Sequence, residues 1–155
     1  MITYRQATAQ DMELLLDLRM TFLREINGPS LDAGKESLLF ENRRYFQEGF
    51  ASGSFVVHIA LDGAQIAATS GLSLYEITPS LSCPNGKVGY ISSIYTLPQY
   101  RGQGIARALM EQLLAEAKAR KCTKIVLNAT DMGRPLYEAM GFADTKNDMA
   151  YYVKE

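Results

Sequence analysis

A chain of 155 residues with 47% hydrophobic content is about the size of one compact domain with a full core, and no Pro/Gly/Ser-rich linker marks a second. Sixteen Lys and Arg against 17 Asp and Glu leave a formal charge of −1, so no general field draws in nucleic acid or an anionic membrane. No apolar run approaches the roughly 18 residues that span a bilayer, the first residues lack a signal peptide's apolar core, and two distant cysteines suit neither a disulfide framework nor a zinc site.

The expectation is therefore one domain over residues 1–155, soluble and cytoplasmic, with no metal, nucleic-acid or membrane partner. Whether it forms a homodimer stays open.

Thr8-Ala9-Gln10-Asp11 is a capping-box pattern, after which Met12, Leu15, Leu16, Phe22, Leu23 and Ile26 recur on a helical stripe. A first helix is predicted over about 8–25. Residues 27–34, with Gly28, Pro29 and Gly34, read as a loop; Leu39, Phe46 and Phe50 then share one face of a second helix that ends between Gly49 and Gly53.

Residues 55–61 and 65–75 are strand-like, and Asp62-Gly63-Ala64 between them is a turn signal for an antiparallel hairpin. A polar loop over 78–87 leads to a β-branched and aromatic run, 88–97. There follows a turn, Tyr100-Arg101-Gly102-Gln103-Gly104, then a helix to Arg120 on which Ile105, Leu109, Leu113 and Ala117 lie four apart. Residues 124–128 form a short strand, so strand, helix and strand make one βαβ crossover with two parallel strands. Pro135 opens a short helix with body 136–140, Gly141 ends it, and residues 149–153 read as a closing strand. The sum is an α/β domain, a mixed sheet flanked by helices around a central β-α-β unit.

A strand that ends in a glycine turn and becomes a helix gathers unpaired N–H groups and a positive helix-dipole end at one point, which suits a phosphate-bearing ligand. Gly104 is followed by Ile105-Ala106 where a P-loop needs Lys-Ser/Thr, and Arg107 stands where a Rossmann fingerprint needs a small residue. Arg101-Gly102-Gln103-Gly104-Ile105-Ala106 instead fits the Q/R-x-x-G-x-G/A signature of the GCN5-related N-acetyltransferases, and Tyr137-Glu138-Ala139-Met140-Gly141-Phe142 resembles their C-terminal Tyr-x-x-x-Gly-Phe.

That resemblance covers residues 90–142 and implies acetyl-coenzyme A as cosubstrate and transfer of its acetyl group to a primary amine of a small molecule or peptide. By the same resemblance, the backbone of Ile94, Tyr95 and Thr96 pairs with the pantetheine arm, and Arg101, Gly102, Gln103, Gly104, Ile105 and Ala106 wrap the pyrophosphate. A β-bulge late in the 88–97 strand is expected to free the ladder groups this needs. Tyr137 falls at the family's general-acid position, where a phenol assists the departing thiolate.

An alkyl amine, pKa about 10, arrives as an ammonium and must lose a proton before attack. Some relatives place a glutamate early in the strand before the phosphate turn, but Gly89-Tyr90-Ile91-Ser92-Ser93 holds no carboxylate. Glu76, at the end of the preceding strand, is the candidate base, and Ser92 and Ser93 are candidates to hold the amine or a relay water. Many relatives carry an asparagine where this chain has Thr130; Asn128 is the candidate cofactor contact in its place. The resemblance also implies that loops 27–35 and 78–87 border the acceptor pocket, and Tyr75, Tyr90 and Tyr95 are candidates to line an apolar slot. His58, the single histidine, reads as a satisfied structural residue; Cys83 sits in a loop beside Pro84, and Cys122, although next to Lys121, precedes the 124–128 strand at the end away from the glycine turn, so direct attack is expected rather than an acyl-enzyme. A non-catalytic acyl-CoA-binding module and a site for another nucleotide are the competing readings.

Overall fold

A computed structural model describes residues 1–154. Five strands lie in the order β1 (Ile2–Gln6), β2 (Phe55–Asp62), β3 (Gln65–Glu76), β4 (Lys87–Thr96) and β5 (Lys124–Leu127); the first four are antiparallel neighbours and β4 pairs with β5 in parallel. Helices α1 (Met12–Asn27) and α2 (Lys35–Ser52) precede the hairpin, α3 (Ile105–Ala119) makes the crossover, and α4 (Arg134–Ala139) follows β5.

The strand period of two sorts the sheet into two faces. Phe55, Val57 and Ile59 pack with Leu15 and Leu16 of α1 and Phe46 of α2, whereas Val56, Leu72 and Ile91 meet Met110, Leu113 and Ala117 of α3. The four-apart stripe of α3 is buried from Ile105 to Ala117, as its spacing predicts. Each fully buried Leu or Met contributes about 1.5–3 kcal/mol. That holds α3, and the turn at its start, rigidly against the sheet.

The capping box forms, with the Thr8 backbone N–H donating to the Asp11 carboxylate at 2.8 Å. It opens a short 3-10 turn over Ala9–Asp11, and the α-helix proper begins at Met12. Residues 28–34, expected as a loop, wind into a 3-10 segment that buries Leu31. The strand β1 has no counterpart in the sequence reading: Ile-Thr-Tyr-Arg-Gln alternates too weakly, because as an edge strand it leaves four of five residues exposed.

The closing strand expected over 149–153 does not form. The sheet order ends at β5, and Met149, Tyr151, Tyr152 and Val153 are all strongly exposed. β-propensity expresses fit to a half-buried pleated surface. Past α4 the described residues pair with no strand of the sheet, so those side chains meet no such surface.

Candidate active site

The parallel pairing of β4 and β5 stops at Ile91–Leu127, while β4 continues beside β3 as far as Thr96. From Ser92 onward the β5-facing edge of β4 therefore has no strand partner. The expected bulge marks the point of departure: the β3–β4 register shifts between Thr69 and Gly71, and Ser93 sits at φ +58°, in the left-handed region a non-glycine residue seldom visits. The extra residue rotates the strand. Tyr90, Ser92 and Tyr95 face α1 and α2, where an unbroken alternation would have placed Ile94.

Beyond Thr96, Arg101 leads into Gly102 and Gly104, both at φ +77°, with nothing within 4 Å of where a Cβ would stand. Among the described residues no acceptor takes the backbone N–H of Gly102, Gln103 or Gly104. The first-turn donors of α3 add to them. A row of unpaired donors at a helix N-terminus, left-handed glycines that let oxygen atoms approach, and an unpaired strand edge fit a ligand with a diphosphate at one end and an amide-rich arm at the other.

The groove these parts enclose has a volume of about 390 Å³ and is lined by Ile94, Tyr95, Thr96, Arg101, Gly102, Gly104, Ile105 and Ala106, together with Thr130 and Tyr137. Of the cofactor residues read from sequence, Gln103 and Asn128 do not line it. Phe22, Glu25 and Ile26 of α1 form a wall that sequence reasoning missed. Phe22 stacks on Tyr95 at 5.5 Å between ring centroids, a contact across 73 residues that no local pattern reveals.

Arg101 turns inward. Its Nε donates to the Thr96 carbonyl at 2.8 Å, its Nη2 reaches both Glu25 carboxylate oxygens at 3.1 and 3.3 Å, and its guanidinium lies 5.5 Å from the Tyr95 ring centroid. The Tyr95 phenol, ahead of Arg101, holds the Glu25 carboxyl below its usual range. Arg101 thus braces the turn against β4 and α1. Arg107 pairs with Glu111 one helical turn on.

Tyr137 is buried, 7% exposed, and desolvation pushes its phenol above the ordinary value. Gly133 makes room for the ring, since a Cβ there would stand 2.7–2.8 Å from it, and Phe142 packs edge-on at 6.3 Å. No described residue takes the phenol's proton. Tyr137 also lines a second cleft, of about 560 Å³, with Tyr75, Tyr90, Val126 and Asn128, so the groove and the cleft meet at this residue.

Asn128 belongs to that second cleft, where its Nδ2 donates to the Tyr90 hydroxyl at 2.9 Å; Thr130 is the one at the groove. Glu76 is opposite Lys87 in the β3–β4 register, five positions along β4 from Ser92, or about 16 Å at strand rise, and lines neither cavity, although its neighbours Tyr75 and Ile77 line the cleft. Ser93 lies at the bulge, beside the splay. Tyr75, Tyr90 and Tyr95 do not line one slot as expected: Tyr75 and Tyr90 border the cleft, whereas Tyr95 lines the groove and closes against Phe22 of α1. His58 pairs through Nδ1 with the Gln112 amide oxygen at 3.1 Å, but its buried Nε2 has no partner among the described residues, so it is only half satisfied. Cys83 is buried against Thr123, and burial pushes the Cys122 thiol up, away from nucleophilic character. Among the described residues no group of three or more His, Cys, Asp and Glu is placed to hold a metal ion, and no helix is long and apolar enough to cross a membrane.

The family model described as the acetyltransferase (GNAT) family matches residues 19–142. A predicted acetyltransferase from Clostridium acetobutylicum, solved with acetyl-CoA, is 34% identical over 98% of this chain and 96% of its own, with a TM-score of 0.89. A GCN5-related N-acetyltransferase from Ralstonia eutropha JMP134 is 31% identical over 99% of both chains, with a TM-score of 0.87. Among curated proteins, a glucosamine 6-phosphate N-acetyltransferase of Trypanosoma brucei brucei is 30% identical over 51% of this chain but about half of its own length, 54%; a rice enzyme of the same description is 28% identical over 89% of this chain and 82% of its own.

Proposed function

The chain belongs to the GNAT acetyltransferase family, whose members use acetyl-CoA to acetylate amines, and from that premise we propose that it transfers the acetyl group to the primary amine of a small molecule by direct attack. The observation that carries this reading is the meeting of the two cavities at Tyr137. One cavity offers backbone to a diphosphate and an amide arm; the other, on the far side of the phenol, is free to hold an acceptor.

In this reading the edge of β4 at Ile94, Tyr95 and Thr96 pairs with the pantetheine amides, and the N–H groups of Gly102, Gln103 and Gly104 with the first turn of α3 hold the pyrophosphate. The bound cosubstrate supplies an activated thioester at the splay between β4 and β5. In the same reading Ser93, at the bulge where β4 parts from β5, holds the acceptor amine or the water that takes its proton. The amine nitrogen then attacks the acyl carbon and the carbonyl π electrons move to oxygen; the attached nitrogen, now cationic, gives its extra proton to water, and on collapse the carbonyl re-forms while the C–S bond breaks with its electron pair on sulfur. Tyr137 donates its proton to the departing sulfur; its raised pKa keeps the phenol charged with that proton throughout the neutral range.

The glucosamine 6-phosphate N-acetyltransferases among the relatives support a small-molecule amine. The test is thiol release from acetyl-CoA across a panel of amines, with Tyr137→Phe alongside. Turnover that collapses in the variant supports the enzyme. Thermal stabilisation by coenzyme A without turnover on any amine identifies an acyl-CoA-binding module instead, and stabilisation by ATP or NAD but not coenzyme A overturns the cosubstrate.

A further inference from the structure

Among the described residues every arginine but one sits in an ion pair with a carboxylate. The exception is Arg19 of α1, and it is half-buried. A guanidinium has five N–H donors. Here Nε donates to the Asn42 amide oxygen of α2 at 3.2 Å, the group rests 5.8 Å from the Phe22 ring centroid, and the other four donors have no partner among the described residues. Burial pushes its pKa below the ordinary value, opposed only by the Tyr90 phenol. A cation withdrawn from water without a counter-ion is unfavourable in the isolated protein, and an incoming anion relieves it.

Its position follows from the register of α1 on β4. Phe22 stacks on Tyr95 and Glu25 meets Arg101, so α1 runs in the same sense as β4. Arg19, one turn before Phe22, therefore falls beside Tyr90 and Ser92, on the face those residues share. The neighbours there are polar: Tyr45 donates to Ser73, the register partner of Tyr90, and Asn128 donates to Tyr90. Arg19 lines neither the cosubstrate groove, which the next turns of α1 do line, nor the cleft; it stands next to Tyr90, which lines the cleft, and two turns of helix before Glu25, which meets Arg101 at the glycine turn. The anion it awaits is thus not the cosubstrate's diphosphate.

We propose that Arg19 binds an oxyanion, a carboxylate or a phosphate, carried by the acceptor, so that the molecule acetylated bears both an amine and an anionic group. This rests on the acetyl-transfer reading above. With the amine at Ser93 and Tyr137, the anion lies beyond Tyr90, held by the free guanidinium donors while Asn42 fixes the plane of the fork.

The experiment uses matched pairs of amines, an amino acid against its amide and a phosphorylated amino sugar against its unphosphorylated form, with thiol release followed at saturating acetyl-CoA. The wild type is expected to favour the anionic member by at least about tenfold in kcat/KM. Arg19→Met is expected to lose about 10- to 100-fold on the anionic member through the acceptor KM, with the neutral member changed less than about threefold, and Arg19→Lys to recover part of the loss. The amide and phosphate arms distinguish which oxyanion is read. Arg19→Met should melt no lower than wild type, because it removes a desolvated charge; a merely structural arginine would lower the melting temperature and reduce both members alike. No anionic preference in the wild type, or equal loss on both members, overturns the proposal. If no amine turns over, the transfer reading fails separately, and calorimetric titration of the same pairs into protein saturated with coenzyme A still decides: anion-dependent binding lost in Arg19→Met supports Arg19, and its absence overturns it.

Discussion

The groove and the cleft that share Tyr137 are built from different material. The groove presents backbone: the open edge of β4 after Ser92, three free N–H groups around Gly102 and Gly104, and the start of a helix fixed by its buried stripe. The cleft presents side chains from several elements, Tyr75 on β3, Tyr90 on β4, Val126 on β5, Asn128 just past it and Tyr137 on α4, with Arg19 of α1 next to Tyr90 but outside the lining. Backbone suits a ligand that is the same in every turnover, since its spacing survives most substitutions. Side chains suit a ligand that differs between relatives, since each can be exchanged without moving the fold. The difference teaches where specificity resides, and it can be broken by substitutions on either side.

Tyr137 stands on the boundary and carries the largest expected effect. Tyr137→Phe should lower kcat about 100- to 1,000-fold while leaving the KM of acetyl-CoA and of the amine within about threefold, because only proton donation is removed. Since burial raises the phenol above its ordinary value of about 10, the wild-type rate should show no descending limb from this group below about pH 10. A large rise in either KM would make Tyr137 part of one cavity's wall and dissolve the boundary.

Gly104→Val tests the backbone side. A β-branched residue at φ +77° is strained, and its methyl groups would fill the space in front of the turn. The expected loss is about 100-fold in kcat/KM for acetyl-CoA, with coenzyme A no longer raising the melting temperature and the acceptor KM unaffected. An unchanged acetyl-CoA KM would mean that the diphosphate is held elsewhere.

The same contrast explains what could be read from the sequence. The turn was legible because backbone binding needs particular residues in a row: glycines for left-handed dihedrals, a strand before them and a helical stripe after. The bulge was foreseen for the same reason, although Ser93 carries the unusual dihedral without being a glycine. Arg19 and its neighbours were not legible. Arg19 and Asn42 lie 23 positions apart and Tyr45 and Ser73 lie 28, so only the packing of α1 and α2 on the sheet brings them together. The placement of Glu76 depends on the same kind of long-range register. A residue at a strand end looks close to the next strand, but the antiparallel register carries it to the opposite end of β4 from the bulge. The tail over 149–153 has a strand's composition without a strand's neighbours.

Arg101 and Arg107 ask whether side-chain charge contributes to the backbone groove. Arg101→Ala removes the tie to the Thr96 carbonyl and to Glu25, so the turn loses its brace; acetyl-CoA KM should rise about 3- to 10-fold. Arg107→Ala breaks only an exposed pair with Glu111 and should change it less than about twofold. If Arg107→Ala had the greater effect, the diphosphate would be gripped by cations and the division between backbone and side-chain recognition would fail.

Asp11 offers the smallest effect and the sharpest control, because it belongs to neither cavity. The Arg5 guanidinium, with help from the Thr8 N–H, holds its carboxyl down at about 2. The unfolded chain, with an ordinary carboxyl near 4, binds more protons in between, so this contribution to stability is complete above about pH 4 and is lost as the pH falls toward 2. Asp11→Asn should lower stability at pH 7 by about 1 kcal/mol, flatten the acid limb of a urea-unfolding series between those values, and leave the acetyl-CoA and amine KM values alone. Since α1 carries both Phe22, against the groove, and Arg19, toward the cleft, a shift in either KM would show that anchoring the start of this helix reaches the sites. Equal shifts in both would mean that the two cavities move as one body, whatever their different materials.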